Sequence, residues 1–349
     1  MKAVYGFLFG LILSLALAFF AGENPIFVAR ILFTSAFGSF YDLGLTLFYT
    51  TSFIFTGLSV AFAFHSGLFN IGAEGQLNVA ALATAAVGIT FVDTPFWLAL
   101  PLGFVTAIAT GASWAWIAGY LKAYRGSHEV IVTMMLNFVA AGLVSFFTLE
   151  VFRSQSSQNP ETANVGPGFY APDRDLTQRF FDGAPVNFSL WIALILAFLI
   201  YGFLFYTRWG FKVRLTGQNA EAAEFSGISS KKVQMLSMAT AGAAAGLVAL
   251  NEVMGSAGRF KLGFSADYGF VGIAVALLAR NHPLGILASA FLFGALQKGA
   301  ADLDFETENI TRDFARLIQA ILILSVAAFY SMDLSKIKAA ILKRGKHGS

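Results

Sequence analysis

Residues 45–64 read LTLFYTTSFIFTGLSVAFAF, and after His65 and Ser66 the chain continues GLFNIGAEGQLN over 67–78. The first stretch is 20 residues without a charge. An α-helix rises about 1.5 Å per residue, so about 20 apolar residues cross about 30 Å of hydrocarbon. The second stretch packs Asn70, Glu74, Gln76 and Asn78 among Gly67, Gly72 and Gly75 at the start of the next apolar run. A spanning helix followed at once by a polar, glycine-rich helix start is the pattern of a membrane protein with a broken or tightly packed element lining a cavity.

The rest of the chain agrees. Of 349 residues, 57% are hydrophobic and only 12% charged, with 38 Phe, against roughly 25% charged in a soluble domain. Mean hydropathy is +0.68. Twenty-three basic and 20 acidic side chains cannot cover a soluble surface of this size, and the apolar content excludes disorder. The chain has no Cys, which removes disulfides, thiolate chemistry and Cys-ligated metals. Ten spans are expected, near 4–21, 45–64, 70–91, 96–121, 128–150, 188–207, 232–251, 268–281, 283–300 and 313–331. The first also reads as a signal sequence, with Ala16 and Ala18 near Phe19. The residues between 22 and 44 hold a short apolar stretch suited to the interface. The 151–187 connection is polar and turn-rich.

Orientation follows from Lys and Arg. With both termini inside, the inner segments hold 14 basic and five acidic residues, a balance of +9, and the outer ones nine basic and 15 acidic, or −6, within the net +3. This places 151–187 in the periplasm and 208–231 in the cytoplasm.

Polar groups in hydrocarbon are costly and mark candidate pathway positions. Asn70, Glu74, Gln76, Asn137 and Asn251 are those positions here. Each also has a structural reading: Glu74 as a partner of free N–H groups at a helix start, Asn137 as an inter-helix hydrogen bond, Asn251 with Glu252 as a span end. No Ser/His/Asp set, no His pair on one helix face and no phosphate-binding Gly-x-x-x-x-Gly-Lys-Ser/Thr loop is present, so no catalytic residue, metal or cofactor is expected. In the inner loop, Gln218 to Phe225 suits a short helix, capped at Thr216 or Gly217 and closed by Gly227. Alone it is too short for stability in water, which invites a partner.

Four segments, GLFNIGAEGQL (67–77), GSHEVIVTMMLN (126–137), GQNAEAAEFSGI (217–228) and GFVGIAVALLARNHPLGI (269–286), the last followed by LFGAL (292–296), together resemble the permease subunits of ABC importers for nucleosides and simple sugars, the branched-chain amino acid/ribose-type family. The resemblance covers roughly 45–330. It implies an all-α polytopic membrane protein with a type II-like ABC importer permease fold in a bacterial inner membrane. It implies that ATP hydrolysis lies in a separate ABC ATPase subunit, contacted by a coupling helix formed here by Gly217, Asn219, Glu221, Ala222, Ala223 and Gly227. A second permease subunit and a periplasmic or lipoprotein substrate-binding protein complete the implied assembly, with no nucleic acid. Glu74-Gly75-Gln76 is more similar to the nucleoside branch than to the ribose branch. An ion-coupled secondary transporter and a membrane-embedded enzyme are the competing classes, and each needs an acid or metal cluster that the sequence does not display.

Overall fold

The computed structural model describes residues 2–331 apart from 266, 308 and 311. Among the described residues all regular structure is helical, with two isolated antiparallel bridges, Arg153 with Thr162 and Glu161 with Lys261. The chain forms two compact units. The smaller comprises Met1–Ile31 and Ala300–Ser349, the larger Leu32–Gly299. In the smaller, α1 (Lys2–Phe20) packs on α14 (Arg312–Ser331), with Gly6 and Gly10 against Ser325 and Val326 or Leu322.

The larger unit is built on α3 (Phe40–His65), α4 (Ala73–Thr90), α5 (Phe96–Arg125), α6 (Glu129–Phe146), α8 (Ser189–Tyr206), α11 (Ser230–Gly246), α12 (Tyr268–Leu278) and, up to Gly299, α13 (Pro283–Glu306). The short α2 (Pro25–Phe37) occupies the stretch expected at the interface, and the short α7 (Arg174–Phe180) lies in the 151–187 connection. The core is the α5–α11 contact. On α5, Ala99, Gly103, Ala107, Gly111, Ala115, Gly119 and Ala123 recur every fourth residue and all are buried. A stripe of small residues lets two backbones touch, which is how helices associate where lipid removes the hydrophobic driving force. A Cβ at Gly111 would stand 2.3 Å from the Gly242 carbonyl oxygen. Methyl-sized additions there have no room.

Six described helices are long and apolar enough to cross a membrane: Phe40–His65, Phe96–Arg125, Glu129–Val151, Ser189–Tyr206, Ser230–Ala257 and Pro283–Glu306. These answer six of the ten expected spans. The expected span at 4–21 forms a shorter apolar helix, Tyr5–Phe20. Glu74, Gln76 and Asn78 dilute the apolarity of α4, and α14 is likewise absent from the six. The span expected at 268–281 is an 11-residue helix, Tyr268–Leu278, stopped by Arg280 and Asn281 in left-handed backbone at φ 56 and 58. Eleven residues rise about 16 Å, about half a hydrocarbon core. The 232–251 span instead runs on as a π-helical segment, Leu250–Ala257, carrying Asn251 and Glu252 within the element and not at its end. A second π turn, Phe147–Val151, extends α6.

The 151–187 connection is strapped onto the π segment Leu250–Ala257 and the irregular chain that follows it. Backbone N–H groups of Thr162, Val165 and Ala171 donate to the carbonyls of Phe260 (2.9 Å), Gly258 (2.8 Å) and Met254 (3.0 Å), and Leu262 N–H donates to Pro160 (2.9 Å). Non-helical backbone near membrane depth needs partners of this kind.

Candidate functional site

Two interrupted helices meet at their N-termini. α4 starts after the non-helical Leu68–Asn70 stretch, and α12 starts after the turns of 258–265. A Cβ on Gly269 would lie 2.3 Å from the backbone nitrogen of Glu74, so only glycine permits this approach. The Glu74 carboxylate bridges the junction. Its Oε2 accepts from Gly269 N–H at 2.7 Å. Its Oε1 accepts from the Ser265 hydroxyl and from Asn78 Nδ2, the latter at 3.0 Å. An anion is favoured at a helix N-terminus. Glu74 therefore caps α12, a partner nearly 200 positions away, where the sequence suggested its own helix start.

The other expected polar residues divide into two groups. Asn70 and Gln76 pair amide to amide, with Nδ2 to Oε1 and Nε2 to Oδ1 both at 2.9 Å, and Asn70 also donates to Ser59 Oγ at 3.1 Å. Both are buried, and this pair staples the turn before α4. Asn137 lies on α6, where its Oδ1 accepts from Gly75 N–H at 2.9 Å and its Nδ2 donates to the Ile71 carbonyl at 3.0 Å. It pins α6 to the same turn and also borders a cavity.

That cavity has a volume of about 270 Å³. Its polar lining is Glu74, Asn78, Asn137, Ser145 and Ser265, and its apolar lining includes Ala140, Val144 and Leu262. Asn70, Gln76 and Asn251 do not line it.

Asn251 is sealed elsewhere. Its Nδ2 donates to the Phe48 carbonyl at 3.0 Å and to Ser52 Oγ at 2.9 Å. Its Oδ1 accepts from Asn187 Nδ2 at 3.0 Å and Ser189 Oγ at 2.9 Å. Asn251 is 1% exposed. The neighbouring Glu252 accepts from Ser52 Oγ at 3.3 Å and borders a smaller pocket of about 90 Å³ with Phe48, Arg259, Phe260 and Phe264.

The 208–231 loop holds two helices, α9 (Arg208–Gln218) and α10 (Ala220–Phe225). The cap of α10 is Asn219, whose Oδ1 accepts from Ala222 N–H at 3.0 Å; Thr216 and Gly217, the expected caps, belong to α9. A Cβ on Gly217 would stand 2.2 Å from the His65 carbonyl oxygen, so the end of α9 lies backbone to backbone on the end of α3. Gly227 follows α10 at φ +75, with open space about its α-carbon. Ala223 is fully buried, Ala222 half-buried, and Glu221 exposed. Phe225 is 93% exposed at the tip.

Residues 42–327 match the family described as branched-chain amino acid transport system / permease component. The chain belongs to this family. The permease is 35% identical to the guanosine ABC transporter permease protein NupP of Bacillus subtilis, over 86% of this chain and 85% of that protein. It is 34% identical to the nucleoside ABC transporter permease protein NupB of Lactococcus lactis subsp. cremoris, over 97% and 93%. It is 30% identical to the glucose ABC transporter permease protein TsgB13 of Haloferax volcanii, over 92% and 85%. No solved structure matches the permease. Its family and its apolar helices make it a multi-pass membrane protein.

Several cavity and cluster residues of the permease escaped the sequence reading, Ser52 and Asn187 among them. Ser145 sits in an ordinary apolar run, and Ser265 and Ser189 in loops and helix starts where Ser is common. Only Asn78 had a signal, its place four residues after Glu74.

Proposed function

We propose that this protein is a transmembrane permease subunit of an ABC importer for nucleosides. The observation that carries this reading is its 34–35% identity, over most of its length, to proteins named as nucleoside and guanosine permeases. In this reading the chain crosses a bacterial inner membrane ten times with both termini in the cytoplasm, on the charge split given above. The fold is of the type II-like importer kind. The pathway is shared with a second permease subunit, and the low burial of Phe96–Arg125 and Glu129–Val151 leaves faces open for lipid and for that partner. A periplasmic or lipoprotein binding protein delivers substrate to the outer face, which includes 151–187. Hydrolysis occurs in a separate ATPase.

Coupling runs through α9 and α10. Asn219 sets the start of α10, and Gly217 seats α9 on the His65–Gly67 turn. That turn leads within seven residues to Glu74 and the cavity. Movement imposed on the exposed Glu221 and Phe225 thus has a short rigid route to the α4–α12 junction, and alternating access follows from rocking the permease pair. Ala223, being buried, serves this docking element by packing and not by contact. Glu74, Asn137 and their cavity form the pathway part of the reading. Asn70, Gln76 and Asn251 support it from buried positions.

The test is uptake of labelled guanosine by proteoliposomes holding this chain, its partner permease and the ATPase, with the binding protein outside. Uptake is expected to require ATP and to survive an uncoupler. Uptake that ignores ATP and collapses with the uncoupler would establish the ion-coupled alternative. Glucose as the better-transported substrate would establish the sugar reading, which the 30% identity to a glucose permease supports. Phe225→Asp is expected to leave membrane levels unchanged and to abolish co-purification of the ATPase.

A further inference from the structure

The hydrogen-bond inventory of the 270 Å³ cavity identifies what it has left to offer. Glu74 is engaged by three donors, Ser265, Gly269 and Asn78. Asn78 directs its Nδ2 to the Glu74 carbonyl at 2.8 Å, to the Glu74 carboxylate and to Ser265 Oγ at 3.2 Å. Two of those partners are pure acceptors, so the amide orientation is fixed and Asn78 Oδ1 is left as an open acceptor. Asn137 is fixed in the same way, because its Oδ1 takes a backbone N–H and its Nδ2 gives one hydrogen to a carbonyl. The second Nδ2 hydrogen is an open donor. Ser145 lies on α6 at the cavity wall; its side-chain hydroxyl, which both donates and accepts, makes no hydrogen bond among the described residues.

The open set is therefore one acceptor, one donor and one hydroxyl, with no cation in the lining. Adjacent alcohol groups, each donating and accepting, complement such a set. A phosphate does not, since the one charged wall residue is a carboxylate. A planar base finds no ring to stack on, because no lining residue is aromatic. The size agrees. Pockets that enclose a drug-sized ligand span roughly 300–1,000 Å³, and this cavity, at about 270 Å³, has room for a hydroxylated ring.

We infer that this cavity is a subsite for the vicinal hydroxyls of a neutral sugar ring, read by Asn78, Asn137 and Ser145, and that it is indifferent to the base. The inference rests on the importer reading above and adds the part of the substrate that the chain itself recognises. It makes Ser145 and Asn78 specificity-determining positions.

The experiment uses the complete transporter with its unaltered binding protein and compares labelled guanosine, 2′-deoxyguanosine and adenosine as substrates. Any preference of the binding protein multiplies every variant's uptake by the same factor, so a change in the ratio between substrates belongs to the permease. Ser145→Ala removes one neutral hydrogen bond and leaves no buried group unpaired. It is expected to lower the guanosine-to-deoxyguanosine uptake ratio about 2- to 10-fold, the yield of one such bond, and to leave the guanosine-to-adenosine ratio unchanged. Asn78→Leu is expected to shift the first ratio in the same direction. Unchanged hydroxyl ratios in both variants, or a shift in the base ratio instead, would overturn the subsite while leaving nucleoside import standing. If unaltered permease imports none of the three, the importer reading fails first, and the subsite fails with it.

Discussion

Two polar clusters interrupt apolar helices in the larger unit, one around Asn251 and one around Glu74, and they are built to opposite ends. Asn251 spends every capacity of its amide on protein: two acceptors on α3 take its hydrogens, and Asn187 and Ser189 fill its oxygen. The Glu74 cluster is equally well bonded at its centre, yet its rim keeps an open acceptor on Asn78 and an open hydroxyl on Ser145 beside a cavity. Polarity within a membrane segment is thus not by itself a sign of a pathway. What separates a structural cluster from a binding one is whether hydrogen-bonding capacity is left over and whether space adjoins it.

The largest expected effect tests the sealed side. Asn251→Leu deletes four buried hydrogen bonds, to the Phe48 carbonyl, Ser52, Asn187 and Ser189. Ser52, Asn187 and Ser189 each keep another partner, so at about 0.5–1.5 kcal/mol per bond a few kcal/mol of stability should go. The thermal midpoint of the detergent-solubilised protein, read by loss of its monodisperse chromatographic peak, is expected to fall steeply. A midpoint within a degree or two of the parent would show that Asn251 is no keystone and would remove the contrast between the clusters.

A smaller stability effect but a complete transport effect is expected from Glu74→Ala. The substitution leaves Gly269 N–H without its acceptor and deprives α12 of its capping charge, at about 1–2 kcal/mol. Glu74→Gln keeps the shape but presents an NH₂ group either to Gly269 N–H or to the Ser265 and Asn78 donors. Both variants should assemble with the ATPase and fail in uptake. Transport by Glu74→Ala at parental rates would break the assignment of this junction to the pathway.

The sequence carried the class, the charge asymmetry and two of the residues that border the cavity, Glu74 and Asn137. The run of 45–64 and the polar start at 67–78 were readable because helix length and residue polarity are local properties. It did not carry the partners. Nothing near Glu74 says that its carboxylate ends on Gly269, and nothing near Asn251 says that Asn187 and Ser189 close it, because those pairings depend on tertiary packing. The half-length of α12 was hidden as well: Tyr268–Leu278 is as apolar as a full span, and its end at Arg280 and Asn281 is set by backbone conformation. Ala223 shows the same limit in the 208–231 loop, since a motif position gives no indication of which face is buried.

The smallest expected effect concerns the strap over the sealed cluster. Glu161 is buried in the 151–187 connection and pairs with Arg259 at 2.6 Å. A hydrogen bond from Ser157 first, and then the Arg259 guanidinium, hold its carboxyl below the usual carboxylate range. A carboxylate with a depressed folded-state value adds stability that is complete above its unfolded value, about 4.3, and is lost as pH falls through the folded value. The strap should therefore hold between pH 5 and 7 and loosen only in stronger acid. Arg259→Gln removes one of the depressing influences, leaving those of Ser157 and Lys261, and moves that loosening to higher pH, with at most about 1 kcal/mol at stake because Arg259 is partly exposed. Limited proteolysis within 151–187 across pH 3.5–7 reads the change with an acid-tolerant protease. The variant's cleavage should rise at a higher pH than the parent's, with the Glu74 cavity unaffected in its substrate ratios at neutral pH. Identical profiles would detach the ion pair from the strap, and a change in the ratios would join the two clusters into one system.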